Sequence, residues 1–168
     1  MNETLCYLCG ESGADSRDHV PPKAFLDHGH YNKASRITLP AHSACNRMSS
    51  ADEEYVRDLV GPASQVLGLP GVQRVLDKIE RAWQRPEGLR RKRKLLKSSV
   101  PVSLQSAGGI YLRRAIGIKF DRDKVNLVGN KIARGIIYHD THAVISGETV
   151  GCVGIPLNNA LEERPADV

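Results

Sequence analysis

The stretch LPAHSACNRMSS (39–50) places His42 and Cys45 with two residues between them, and Asn46 directly after Cys45. Two serines then precede the run Asp52-Glu53-Glu54. A His-x-x-Cys pair is a short-spaced metal half-site, because two ligands three positions apart can close a tight turn on one ion. Ser50-Ala-Asp-Glu53 fits a capping box, and acids in a first turn suit the positive end of a helix. The metal half-site therefore sits against a helix start, which can lie as early as Ser43 and is expected to end before Gly61-Pro62.

Upstream lies the matching half, Cys6-x-x-Cys9, in CYLCGE (6–11). Two such pairs supply four ligands for one tetrahedral zinc. Four protein ligands leave no open position, so this zinc would be structural, replacing a core that residues 1–48 are too short and too polar to build. Short-spaced cysteines read as metal ligands before disulfides. The fourth cysteine, Cys152, stands in an apolar Gly-rich stretch and reads as a small buried hydrophobe.

The remainder is that of a globular protein: 168 residues, 40% hydrophobic and 26% charged, with a net charge of +5. No apolar run is long enough to span a bilayer, and the N-terminus lacks a basic start followed by an apolar stretch, so the expected compartment is the cytoplasm. The positive excess is clustered. Residues 81–97 hold eight Arg or Lys and one acid, Glu87. That density suits phosphate contacts, and a solvated helix face would look similar.

The spacing of Val72, Val75, Leu76, Ile79 and Trp83 predicts an amphipathic helix, stopped by Pro86-Glu-Gly88. Strands are expected at 100–104 and 110–120. A further helix is expected from about Asp123 to Tyr138, with Val125, Val128, Ile132 and Ile136 on its buried side. Strand-like pieces follow around Val144 and at Val150–Ile155, then a frayed tail.

Between the two half-sites stands DHVPPKAF (18–25). Taken together, CYLCGE, DHVPPKAF and LPAHSACNRMSS resemble the HNH endonuclease family over the first fifty to sixty residues. The resemblance implies an α+β protein. Residues 1–60 would be a zinc-stapled ββα-metal (treble-clef-like) nuclease unit, and 61–168 a helical and mixed α/β accessory region carrying the basic segment. It implies that His19 is the general base, a role suited to an imidazole near neutral pH. It further implies that Asp18 and Asn46 hold a catalytic Mg²⁺ or Mn²⁺, for which a carboxylate and an amide carbonyl are fitting hard donors. Along an extended backbone Asp18 and His19 point to opposite sides.

The family's pattern has an Asn about nine residues before the final one; here that count reaches Ile37, with Thr38 beside it. Either Thr38 or a backbone carbonyl orients His19, or the site is weakened. His42 stands where many relatives carry Cys and is an equally good zinc ligand.

The expected partner is nucleic acid, with DNA favoured over RNA. Arg47 and the cluster Arg90, Arg91, Lys92, Arg93 and Lys94 are the candidate phosphate contacts. His28 and His30 are weaker candidates for metal or phosphate contact. His139, Asp140 and His142 have metal-like spacing but read as the close of a helix. The alternative is a catalytically silent treble-clef zinc module that binds nucleic acid or a protein. A third reading makes the zinc unit a dock for a partner-binding second half.

Overall fold

The computed structural model describes residues 4–26, 36–66, 72–106 and 108–145, with only the backbone at 65 and 66. His28, His30, Cys152 and the strand expected at Val150–Ile155 lie outside the described residues. The architecture mixes helices with two separate two-stranded antiparallel sheets. Among the described residues no helix is long and apolar enough to cross a membrane.

The first sheet pairs β1 (Ser16–Val20) with β2 (Ile37–Ala41). Its inner face carries Asp18, Val20, Leu39 and Ala41, all buried, in the alternation a half-buried strand demands. With Cys6 and Tyr7 these apolar side chains form a small core, closed by Ile132 and Tyr138. Both come from α5 (Arg122–Thr141), the last described helix. Helix α5 lies close to β1 at Gly135, where an added Cβ would stand 2.5 Å from Val20 Cγ2. That approach sets the helix rotation. Gly135 and Lys131 are buried while Ile136 is 44% exposed, so the buried stripe expected through Ile136 runs through Lys131 and Gly135 instead.

Helix α1 (Ser43–Met48) follows β2 at once, and α2 (Ser50–Val66) follows α1. Glu53 bonds Ser49 rather than Ser50: Ser49 Oγ donates to Glu53 Oε1 at 2.9 Å, and Glu53 N–H donates to Ser49 O at 2.9 Å. The expected helix end before Gly61-Pro62 is not found, and the boundary expected after residue 60 falls inside α2. Pro62 deprives its turn of one backbone donor. Gly61 gives a reason for the helix to continue: a Cβ there would lie 2.3 Å from Ile79 Cδ1 of α3 (Val72–Trp83), so the bare position lets α3 pack in.

The basic run is itself a helix, α4 (Pro86–Lys97). Helix α3 ends at Trp83, ahead of Pro86 as expected, and Pro86 also starts the next helix, since a proline at the first helical position loses no intrahelical bond. Helices α2, α3 and α4 meet at buried Asp58. Its Oδ1 accepts from Arg57, and its Oδ2 accepts from Trp83 Nε1 at 3.0 Å and Arg91 Nε at 3.1 Å.

The second sheet, β3 (Ser99–Gln105) with β4 (Tyr111–Ile118), matches the expected strands. Its two strands chiefly face each other, leaving Tyr111, Leu112 and Ile116 exposed. Residues 142–145 are irregular, so the strand expected at Val144 is absent there. His142 caps α5 in the left-handed conformation, donating its N–H to Tyr138 O at 2.9 Å.

Candidate functional site

Cys6, Cys9, His42 and Cys45 come together, their ligand atoms all within 4.8 Å of one another. Local geometry explains why. Gly10, at φ +81°, turns the chain after Cys9 and donates its N–H to Cys6 O at 2.8 Å, which closes the first knuckle. The second knuckle is the entry to α1, where His42 stands at the cap position and its backbone N–H donates to Cys6 Sγ at 3.3 Å. Asp15 Oδ1 accepts the Ser43 N–H at 2.6 Å, and that bond holds the Asp15 carboxyl below its usual range.

The donors fit zinc. Zn–S bonds of about 2.3 Å and Zn–N bonds of about 2.0 Å imply ligand-to-ligand edges of about 3.5–3.8 Å. Cys9 Sγ and Cys45 Sγ lie 3.4 and 3.9 Å from His42 Nδ1. His42 Nε2 is 3.0 Å from Ser12 O, a carbonyl that only an Nε2–H can satisfy. That tautomer leaves the Nδ1 lone pair toward the sulfurs, as in zinc-bound histidines with an oriented second nitrogen. Burial pushes the Cys6 thiol up, but backbone N–H donors from His42, Cys9 and Leu8 outweigh it and bring the thiol down to about 7. Burial and the neighbouring Cys9 thiol push Cys45 up to about 11. The four residues can hold a metal such as zinc.

Next to this cluster is a second one, built from oxygens. Asp18 is 5% exposed. Its Oδ1 accepts the His19 N–H at 2.8 Å, and its Oδ2 accepts the Tyr7 hydroxyl at 2.7 Å. Burial and this bond to Asp18 drive the Tyr7 phenol far above its ordinary range, so it remains a donor. Asn46 reaches the same point from α1. Between them lies the Lys131 ammonium, 2.8 Å from Asp18 Oδ2, 3.1 Å from Asn46 Oδ1, 2.9 Å from Ser49 Oγ and 2.5 Å from Glu53 Oε1. Asp18 and Asn46 thus converge on one position, and the cation found there is not the divalent ion expected but a group of the chain itself. With Lys131 seated and both Asp18 oxygens engaged, the cluster does not fit a divalent ion.

His19 is half-buried on the opposite face of β1 from Asp18. Its cross-strand partner is Thr38, whereas Ile37 pairs with Val20. Of the two residues at the count for the missing Asn, Thr38 is therefore the one that shares a face with His19. Arg47 is exposed on α1. On α4, Arg90, Arg93, Lys94 and Lys97 are exposed at helical spacing and form one basic stripe. Arg91 is instead paired with Glu54 at 2.7 Å and Asp58 at 3.1 Å, and the Lys92 ammonium lies 5.0 Å from the Trp83 ring centroid.

Sequence reasoning missed Tyr7, Ser49, Glu53 and Lys131 as members of this cluster. One signal was present: Lys131 interrupts an otherwise apolar stripe, between Val128 and Ile132. A lysine in such a register needs a carboxylate facing it. No family model, no curated protein and no solved structure matches the chain.

Proposed function

We propose that this chain is an HNH-type nuclease that hydrolyses nucleic-acid phosphodiester bonds, DNA foremost, on a zinc-stapled ββα unit. The convergence of Asp18 and Asn46 on one cation position, beside the Cys/His cluster, is the observation that carries the reading. His19 is the group that accepts the proton of the attacking water, with Thr38 across the ladder to orient it. The exposed Arg90, Arg93 and Lys94, with Arg47, would follow the phosphate backbone and give salt-sensitive binding with little base readout. Arg91 and Lys92 would shape the helix that carries them. The Mg²⁺ or Mn²⁺ that the family resemblance implies is a separate question from the base.

A second reading, a silent treble-clef zinc module binding nucleic acid or protein, is favoured by Asp18, whose two oxygens are already engaged. Incubating the zinc-loaded protein with supercoiled plasmid separates the two, with Mg²⁺, Mn²⁺ and EDTA arms run in parallel. The nuclease reading expects nicking that falls by about 10²–10⁴-fold in His19→Ala while zinc content stays unchanged. Absence of cleavage on duplex DNA, single-stranded DNA and RNA with every ion leaves the silent module.

A further inference from the structure

We infer that Lys131 is the resident cation of the Asp18–Asn46–Glu53 cluster, holding from within the chain the position a divalent ion would take, so that such an ion does not enter. The inference deepens the proposed function by naming the cation of its site, and it rests on that reading only for what the cation serves.

The placement follows from how α5 meets β1. Val20 and Asp18 share the inner face of β1, two residues apart. Gly135 and Lys131 share one face of α5, four residues apart, a helical spacing of about 6 Å that matches the rise of two strand residues. Gly135 lies flush on Val20, and Lys131 accordingly falls over Asp18. Helical side chains lean toward the N-terminus of their helix, which carries the Lys131 stem onward to Ser49 and Glu53.

The ammonium is well matched to what surrounds it. Three N–H donors meet four oxygen acceptors, from Asp18, Asn46, Ser49 and Glu53. The 2.8 Å contact to Asp18 Oδ2 is that of a charge-assisted hydrogen bond. A Mg²⁺ ion would need oxygens at about 2.0–2.1 Å in near-octahedral order. Lys131 is 5% exposed, and a second cation within contact distance of it would meet strong repulsion in so dry a place. Two carboxylates, Asp18 and Glu53, already have one counter-charge between them.

The test is Mn²⁺ binding to the zinc-loaded full chain, followed by the electron paramagnetic resonance signal of free Mn²⁺, with no cleavage involved. Wild type is expected to bind no Mn²⁺ that depends on Asn46, judged against Asn46→Ala. Lys131→Met is expected to tighten Mn²⁺ binding by about tenfold or more, a gain lost when Asn46→Ala is added. One Asn46-dependent Mn²⁺ per chain in the wild type would overturn the inference. So would a folded Lys131→Met that binds no more Mn²⁺ than wild type. If Lys131→Met does not fold by circular dichroism, the wild-type and Asn46→Ala pair decides alone. A failed plasmid assay beside the expected Mn²⁺ result removes the nuclease reading and leaves this one standing.

Discussion

Two clusters meet where Cys45 gives way to Asn46, and each gathers ligands around one point. In the first, three sulfurs and an imidazole nitrogen lie within 4.8 Å of one another and can hold a metal ion. In the second, oxygens from Asp18, Asn46, Ser49 and Glu53 surround a lysine ammonium. Donor chemistry explains the difference. Thiolates and imidazole match a borderline-soft metal that an ammonium cannot imitate. Carboxylate and carbonyl oxygens serve both as acceptors for an ammonium and as ligands for a hard ion. A first cluster loaded with zinc would tie the structure to metal supply, while the second makes the same kind of staple from the chain's own lysine.

The largest effect should come from breaking the first staple. Removal of zinc by a strong chelator, or Cys45→Ser, should abolish the cooperative unfolding of the N-terminal region, because structural zinc contributes on the order of 10 kcal/mol. Circular dichroism alongside zinc release reads this; an unchanged melt after full metal loss would show that the β1–β2 core stands without it. Breaking the second staple should cost less. Lys131→Met leaves buried Asp18 and half-buried Glu53 without a counter-charge, which should lower stability in urea by about 3–5 kcal/mol. Recovery when Glu53→Gln is added would sharpen the comparison, since the penalty then lies in the uncompensated charge rather than in lost packing.

Tyr7 belongs to both regions. It stands between ligands Cys6 and Cys9, and its hydroxyl donates to Asp18 Oδ2 at 2.7 Å. Tyr7→Phe removes one hydrogen bond to a charged group and should cost about 1.5–3 kcal/mol, with zinc content unchanged. Loss of zinc in that variant would mean that the two clusters are not separable. The smallest effect is expected at the exposed counterpart of Lys131. Lys124 also pairs with a carboxylate, Asp52, but its side chain is 36% exposed. Lys124→Ala should change stability by no more than about 1 kcal/mol, and a cost equal to that of Lys131→Met would break the argument from burial.

How far these features could be read from sequence follows the distance over which they act. The zinc-type cluster was legible because each half-site is a local turn with fixed ligand spacing. Helix α3 was legible from the period of Val72, Val75, Leu76, Ile79 and Trp83. Opposite faces for Asp18 and His19 followed from strand geometry alone. The start of α4 at Pro86 went unread and the continuation of α2 past Pro62 was misread, for a common reason. Proline signals an interruption, but whether it opens, ends or merely weakens a helix depends on packing, here Gly88 against Ala82 and Gly61 against Ile79. The Lys131 contact was beyond local reading, because 85 residues separate it from Asn46. The expected stripe on α5 failed at Ile136 because the close approach of Gly135 to Val20 rotates the helix, and no periodicity records that.

The position of Lys131 also bears on synthesis. Asp18, Asn46 and Glu53 leave the ribosome within the first third of the chain, and their counter-charge follows nearly eighty residues later. At about 5–20 residues per second, that delay lasts roughly 4–16 seconds. Through this interval the growing chain has Asp18, Asn46 and Glu53 but not the lysine that pairs with them in the finished fold. The second staple therefore closes only once α5 has been made, whereas all four Cys and His residues of the first are in the chain by residue 45.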